Sequence, residues 1–209
     1  MTDVREENKS RLAVDVYVAA LPEGDVCYPV LPEERETELR GVSSYLVRRE
    51  RYHAWRLLEY ALRESLGLSM EEARPYRSPS GKWLSARAEF SISHSGGIIA
   101  VAVSREPVGL DVERCGRELP RGFAARMLTE RELASLDGGS YGVMKVWCRK
   151  EALFKRRGES RFIPREVEST DVPVYTERLS LPEGEYILAL AAPSAASVTV
   201  KLCGEKEFD

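Results

Sequence analysis

Apolar positions along the chain change period several times, and each change predicts an element. A loosely alternating run rich in Val and Ala from Leu12 to Leu21, ended by Pro22-Glu23-Gly24, predicts a first strand. After Pro32 a charged segment leads into the longest helical pattern. There Tyr52, Trp55, Leu58, Leu62 and Leu66 form one apolar stripe, and Gly67 closes it. Turn residues fill Pro75 to Lys82; Phe90 to His94 then alternates, Ser95-Gly96-Gly97 turns, and Ile98 to Val103 returns as an apolar strand. Glu106-Pro107 turns the chain into Val108 to Glu113, which is expected to continue the same sheet. Gly122 to Leu136 is helical with a cap and restart at Thr129-Glu130-Arg131-Glu132, and a second long helix spans Tyr141 to Arg157, closed by Gly158. Val167 to Ser169, Val172 to Thr176, Tyr186 to Ala192 and Val198 to Cys203 read as a β meander. Strand, helix and hairpin are followed by strand, helix and meander. The expected fold class is therefore α+β, with two related α/β lobes in one chain, residues 1–105 and 106–209.

Within this pattern two stretches concentrate charge. In Pro107 to Glu113, Val108, Leu110 and Val112 point one way and Gly109, Asp111 and Glu113 the other, so two carboxylates share a strand face roughly 6 to 7 Å apart at Cα. In Trp147 to Lys155, the spacing i, i+4, i+8 aligns Trp147, Glu151 and Lys155 along one helix side. Three acidic groups meeting in one cleft repel unless a positive charge sits among them, and a divalent cation with oxygen ligands is the economical choice. Lys150 and Glu151 flank an apolar stripe of Val143, Trp147 and Phe154 and need partners, which a metal with phosphate oxygens would supply. Ser93 and His94 abut a glycine turn through which a ligand could approach the backbone.

Composition narrows the possibilities further. With 43% hydrophobic and 31% charged residues in 209, the chain can bury a core. Its net charge of -3 argues against bulk attraction to nucleic acid or an anionic membrane, so a phosphate-bearing ligand needs a local basic cluster. Cys27, Cys115, Cys148 and Cys203 form no C-x-x-C pair, which excludes a zinc knuckle or dithiol motif and suits a reducing compartment. Met1 is followed by polar residues instead of an apolar run, and no apolar stretch approaches the roughly 20 residues needed to span a bilayer. A cytoplasmic location is expected.

Three blocks, Phe90-Ser91-Ile92-Ser93-His94-Ser95, Val108-Gly109-Leu110-Asp111-Val112-Glu113 and Trp147-Cys148-Arg149-Lys150-Glu151-Ala152-Leu153-Phe154-Lys155, resemble in order and spacing the signature blocks of the Sfp-type 4′-phosphopantetheinyl transferases. Weaker similarity extends to Arg49 through Leu66 and to Ser80-Gly81-Lys82. The resemblance implies the pseudo-symmetric two-lobe fold of that family with the active site between the lobes, coenzyme A as substrate and the nucleotide end on the N-terminal lobe. It implies Mg²⁺ held by Asp111, Glu113 and Glu151, and Lys155 on the pyrophosphate. Glu151 is the first choice of base and Glu113 the second. Ser93 and His94 would lie against the nucleotide end, Gly81 and Lys82 would form the adenine-side loop, and Arg49, Arg56 and Lys150 would hold phosphates. Trp147 would be chiefly structural. The partners implied are apo acyl, peptidyl or aryl carrier proteins, docking near Arg121, Phe123, Arg126 and Met127, and the chain would act as a monomer. Two departures stand out. The Pro32 to Thr37 segment is acidic where some members place lysines, and Trp83 follows Gly81-Lys82 where proline is common. Two other functions share the same residues, a Mg²⁺-dependent nucleotide pyrophosphate hydrolase and a non-catalytic coenzyme A or carrier-binding module.

Overall fold

The computed structural model describes residues 13–23, 31–79 and 81–208. In chain order the elements are β1 (Ala13–Ala20), α1 (Glu33–Arg40), α2 (Tyr45–Leu66), α3 (Met70–Ala73), β2 (Tyr76–Arg77), β3 (Trp83–Leu84), β4 (Glu89–Ser95), β5 (Ile98–Ser104), β6 (Gly109–Arg114), α4 (Phe123–Met127), α5 (Glu130–Ala134), α6 (Gly139–Arg157), β7 (Tyr175–Leu181), β8 (Gly184–Ala191) and β9 (Ser197–Cys203). The two long helices start and stop where their sequences dictate. Ser44 caps α2 through the Val47 N–H, and Gly67 and Gly158 end α2 and α6 in the left-handed conformation. Between β4 and β5, Gly96 and Gly97 both take positive φ, as a two-residue hairpin turn requires.

The strands form a four-stranded sheet ordered β4-β5-β1-β9, a three-stranded sheet ordered β6-β8-β7 and a short β2-β3 pair. Helix α2 covers one face of the larger sheet through Trp55, Leu58 and Leu62 against Ile99, Val101 and Val103. The other face, with Val16, Ala100 and Ala102, packs on Leu110, Val112 and Leu188 of the smaller sheet. Beyond it Met144, Cys148 and Ala152 of α6 meet Ile187, Ala189 and Ala191. The layers thus run helix, sheet, sheet, helix. A strand buried on both faces has no reason to alternate, which explains the uninterrupted apolar runs of β5 and β8. The order β4-β5-β1 under α2 is repeated by β7-β8-β6 under α6.

Three features depart from the sequence-based expectations. The β6 strand does not continue the first sheet; it pairs with β8 instead. The last strand, β9, leaves the expected meander and pairs in parallel with β1 in the larger sheet. Residues 167–169 are not a strand: the Val167 N–H returns to the Pro164 carbonyl, Glu132 accepts the Ser169 N–H, and Arg149 donates to the Ser169 carbonyl. The described cysteines Cys115, Cys148 and Cys203 are free thiols, and Cys27 lies outside the described residues.

Gly109 sets how closely β6 approaches α6. A Cβ there would overlap the Ala152 carbonyl oxygen and the Arg156 backbone nitrogen, and would stand 2.9 Å from the Arg156 Cα. Gly109→Ala must therefore push strand and helix apart. It is expected to cost about 1–3 kcal/mol, read as a lower urea midpoint; an unchanged midpoint would show that the two backbones are not held in contact.

Candidate active site at the junction of the two sheets

Asp111 and Glu113 leave β6 on the face turned to α6, and α6 presents Trp147, Glu151 and Lys155 to them. Basic residues Lys155, Arg156 and Arg157 occupy the last turn of α6, where they suit the helix dipole. The Lys155 ammonium lies 2.7 Å from Asp111 Oδ1 and 4.0 Å from Glu151 Oε2. Glu113 is held by three donors: the Ser95 hydroxyl at 2.9 Å on Oε2, and the Trp147 indole N–H at 3.1 Å and Arg117 at 3.3 Å on Oε1. The spacing of Trp147, Glu151 and Lys155 thus places all three at the carboxylates, and Trp147 orients Glu113 as well as packing.

What joins β6 to the larger sheet is a row of serines. The backbone N–H groups of Leu110, Val112 and Arg114 donate to the hydroxyls of Ser91, Ser93 and Ser95 at 2.9, 3.2 and 3.2 Å. Ser93 in turn donates to Asp111 Oδ1 at 2.8 Å and accepts from Lys155 at 3.2 Å. Ser93 was expected against a nucleotide; its hydroxyl is instead engaged at the sheet junction. The roles of Ser91, Ser95 and Arg117 were not foreseen. The period-two serines of Phe90 to Ser95 were the available signal, since they fall on one face of β4.

Electrostatically the cluster is strained toward neutrality. Burial pushes the Glu113 carboxyl above its usual range, and the charge of Asp111 adds to this. Burial, with the charges of Asp111 and Glu113 outweighing Lys155, pushes Glu151 up to about 7. Burial acts against the Lys155 ammonium, but Asp111 and Glu151 hold its pKa above the ordinary lysine value. Between about pH 4.5 and 7 the folded protein keeps a proton on Glu151 that the unfolded chain has released, so stability falls as pH rises through that window. Glu151→Gln should abolish this slope and stabilise the metal-free protein at pH 8 by roughly 2–3 kcal/mol. Thermal melts at pH 5 and pH 8 check it, and a parallel pH response in the variant would contradict it.

Among the described residues no set of three His, Cys, Asp or Glu side chains converges within reach of one ion. The donor chemistry nonetheless fits a hard divalent cation: three carboxylates, two of them biased toward protonation by burial and by the charge of Asp111, and one oxygen left over. That oxygen is Asp111 Oδ2, which is buried and accepts no N–H or O–H hydrogen bond. The neighbouring Cys148 thiol donates to the Ile187 carbonyl at 3.5 Å, and burial and the Asp111 charge hold its pKa well up.

Beside Lys155 opens a cavity of about 290 Å³ bounded by Gly81, Lys82, Trp83, Phe90, Phe154 and Gly158. Lys82 bridges its two sides by donating to the Lys155 carbonyl at 2.6 Å, and burial lowers its pKa. Gly81 takes positive φ, and its carbonyl accepts from Arg77 at 3.3 Å; Ser80 lies outside the described residues. Trp83, at the position where proline was expected, packs on Trp55 and donates to Glu38 at 3.0 Å, which anchors the loop to α1 and α2.

Other expected contributors are placed elsewhere. Lys150, assigned to the phosphate cluster, is fully buried and paired with Glu132, whose other oxygen accepts from the Ser169 hydroxyl at 2.6 Å. Arg49 donates to the Pro22 carbonyl and lies 5.8 Å over the Tyr45 ring, while Arg56 pairs with Glu59 at 2.9 Å. His94 Nδ1 sits 2.9 Å from Glu50, which also accepts the Gly97 N–H. No hydrogen bond or ion pair joins these four residues to the carboxylate cluster among the described residues.

No described helix is long and apolar enough to cross a membrane. No curated protein matches the chain. The segment 107–191, which carries β6, α6 and β8 and with them Asp111, Glu113, Glu151 and Lys155, matches the family model of the 4′-phosphopantetheinyl transferase superfamily.

Proposed function

We propose that this protein is an Sfp-type 4′-phosphopantetheinyl transferase, built as two pseudo-symmetric lobes, that moves phosphopantetheine from coenzyme A to a serine of an apo carrier protein and releases 3′,5′-ADP. The supporting observation is that Lys155 lies 2.7 Å from Asp111 and 4.0 Å from Glu151 beside a cavity that reaches Lys82, with Glu113 on the same strand as Asp111, within the segment that matches the superfamily. Asp111, Glu113 and Glu151 would hold Mg²⁺, which when bound supplies charge to the coenzyme A pyrophosphate.

The chain's own groups account for the remaining requirements. Lys155, held at the mouth of the cavity, neutralises charge building on the departing 3′,5′-ADP. The carrier serine oxygen bonds to the phosphorus that bears pantetheine, the bond to the bridging oxygen breaks, and the serine proton passes to a carboxylate. Glu151, on the helix side that carries Lys155, is the first choice for that carboxylate and Glu113 the second. Carrier docking is assigned to α4 and the turn before it, where Arg121 and Arg126 are exposed and Phe123 meets Trp147 edge-on at 5.4 Å, one side chain away from Glu113. Mass spectrometry of apo carrier domains incubated with coenzyme A and Mg²⁺ tests the proposal, because transfer adds the prosthetic arm whereas hydrolysis leaves the carrier unmodified.

A further inference from the structure

We propose that Ser93 and Ser95 are positioning residues that clamp the metal-binding carboxylates, an inference that rests on the Mg²⁺ reading above. Each hydroxyl closes a small ring around one acidic residue. Ser93 donates to the Asp111 carboxylate at 2.8 Å and accepts the N–H of the next residue, Val112, at 3.2 Å. Ser95 repeats the arrangement one pleat on, donating to Glu113 at 2.9 Å and accepting the Arg114 N–H at 3.2 Å. Carboxylate rotamer and strand edge are thereby tied to one point on β4. At Asp111 the clamp and Lys155 both use Oδ1, which leaves Oδ2 unengaged and available to a ligand.

A control is built into the row. Ser91 accepts the Leu110 N–H at 2.9 Å in the same way, but the residue before Leu110 is Gly109, which has no side chain to clamp. Ser91 therefore shares the structural part of the role and lacks the positioning part. Groups that hold metal ligands in place typically carry 10- to 100-fold of metal affinity.

The test titrates the folded protein with Mn²⁺ alone and follows free Mn²⁺ by electron paramagnetic resonance, with thermal melts alongside. Ser93→Ala and Ser95→Ala are expected to weaken Mn²⁺ binding about tenfold or more. Ser91→Ala should lose comparable thermal stability yet bind Mn²⁺ as the unaltered protein does, and Ser95→Thr should retain full affinity. If the alanine variants do not fold, Ser95→Cys decides the matter: it fills the same space with a poor donor and should bind weakly where Ser95→Thr binds well. Equal affinity in all variants, or equal weakening in Ser91→Ala, would overturn the clamp. No Mn²⁺ binding by the unaltered protein would overturn the metal reading and the clamp together.

Discussion

Lys150→Met is expected to destabilise the protein by about 3–5 kcal/mol. Lys150 and Glu132 are both almost wholly inaccessible to water, and the ammonium donates directly to the carboxylate. Removing the cation leaves a buried negative charge whose other hydrogen bonds, from the Thr129 N–H at 2.8 Å and Ser169, cannot neutralise it. With total stabilities of roughly 5–15 kcal/mol for such domains, the variant would stand near unfolding at 37 °C. Adding Glu132→Gln removes the stranded charge and should recover much of the loss. Urea denaturation of the single and double variants measures this. A single variant as stable as the parent, with a raised requirement for coenzyme A instead, would show that Lys150 serves phosphate and not the fold.

Asp111→Asn should leave the fold in place and reduce transfer about a thousandfold or more. Asparagine keeps the oxygen that accepts from Ser93, so the sheet junction survives. Lost are the charge that pairs with Lys155 and the anionic oxygen at Oδ2. Lys155 is about a quarter exposed and can turn to water, so its lost partner costs far less than a cation stranded in the core. Near-normal melting with near-zero transfer is the expected pair of results. Full modification of a carrier by this variant would remove Asp111 from the site.

Much of this was legible in the sequence because it depended on local pattern. The stripe of α2, the glycine caps, the glycine hairpin and the shared faces of Asp111 with Glu113 and of Glu151 with Lys155 all follow from patterns confined to a single element or turn. Illegible were the partners that distant chain segments supply. Lys150 sits on the same helix turn as Glu151, and only the position of Glu132 on α5 turns it inward. The strand character of β6 was evident, but its sheet was not, because serine hydroxyls take the place of a backbone ladder along one edge. The return of β9 to β1 is likewise a long-range pairing that no local signal encodes. Around the candidate site, the alignment of Glu151 with Lys155 and of Asp111 with Glu113 was legible, whereas the serine row and the partners taken by Arg49, Arg56 and His94 depend on tertiary packing.

Transfer of phosphopantetheine to a carrier serine is read by intact-mass spectrometry of a panel of apo carrier domains incubated with coenzyme A, Mg²⁺ and either the parent protein or the Asp111→Asn variant. At least one carrier should gain a single phosphopantetheine arm with the parent and none with the variant, while 3′,5′-ADP appears in step with the modified carrier. Release of phosphopantetheine into solution with every carrier left unmodified would contradict it.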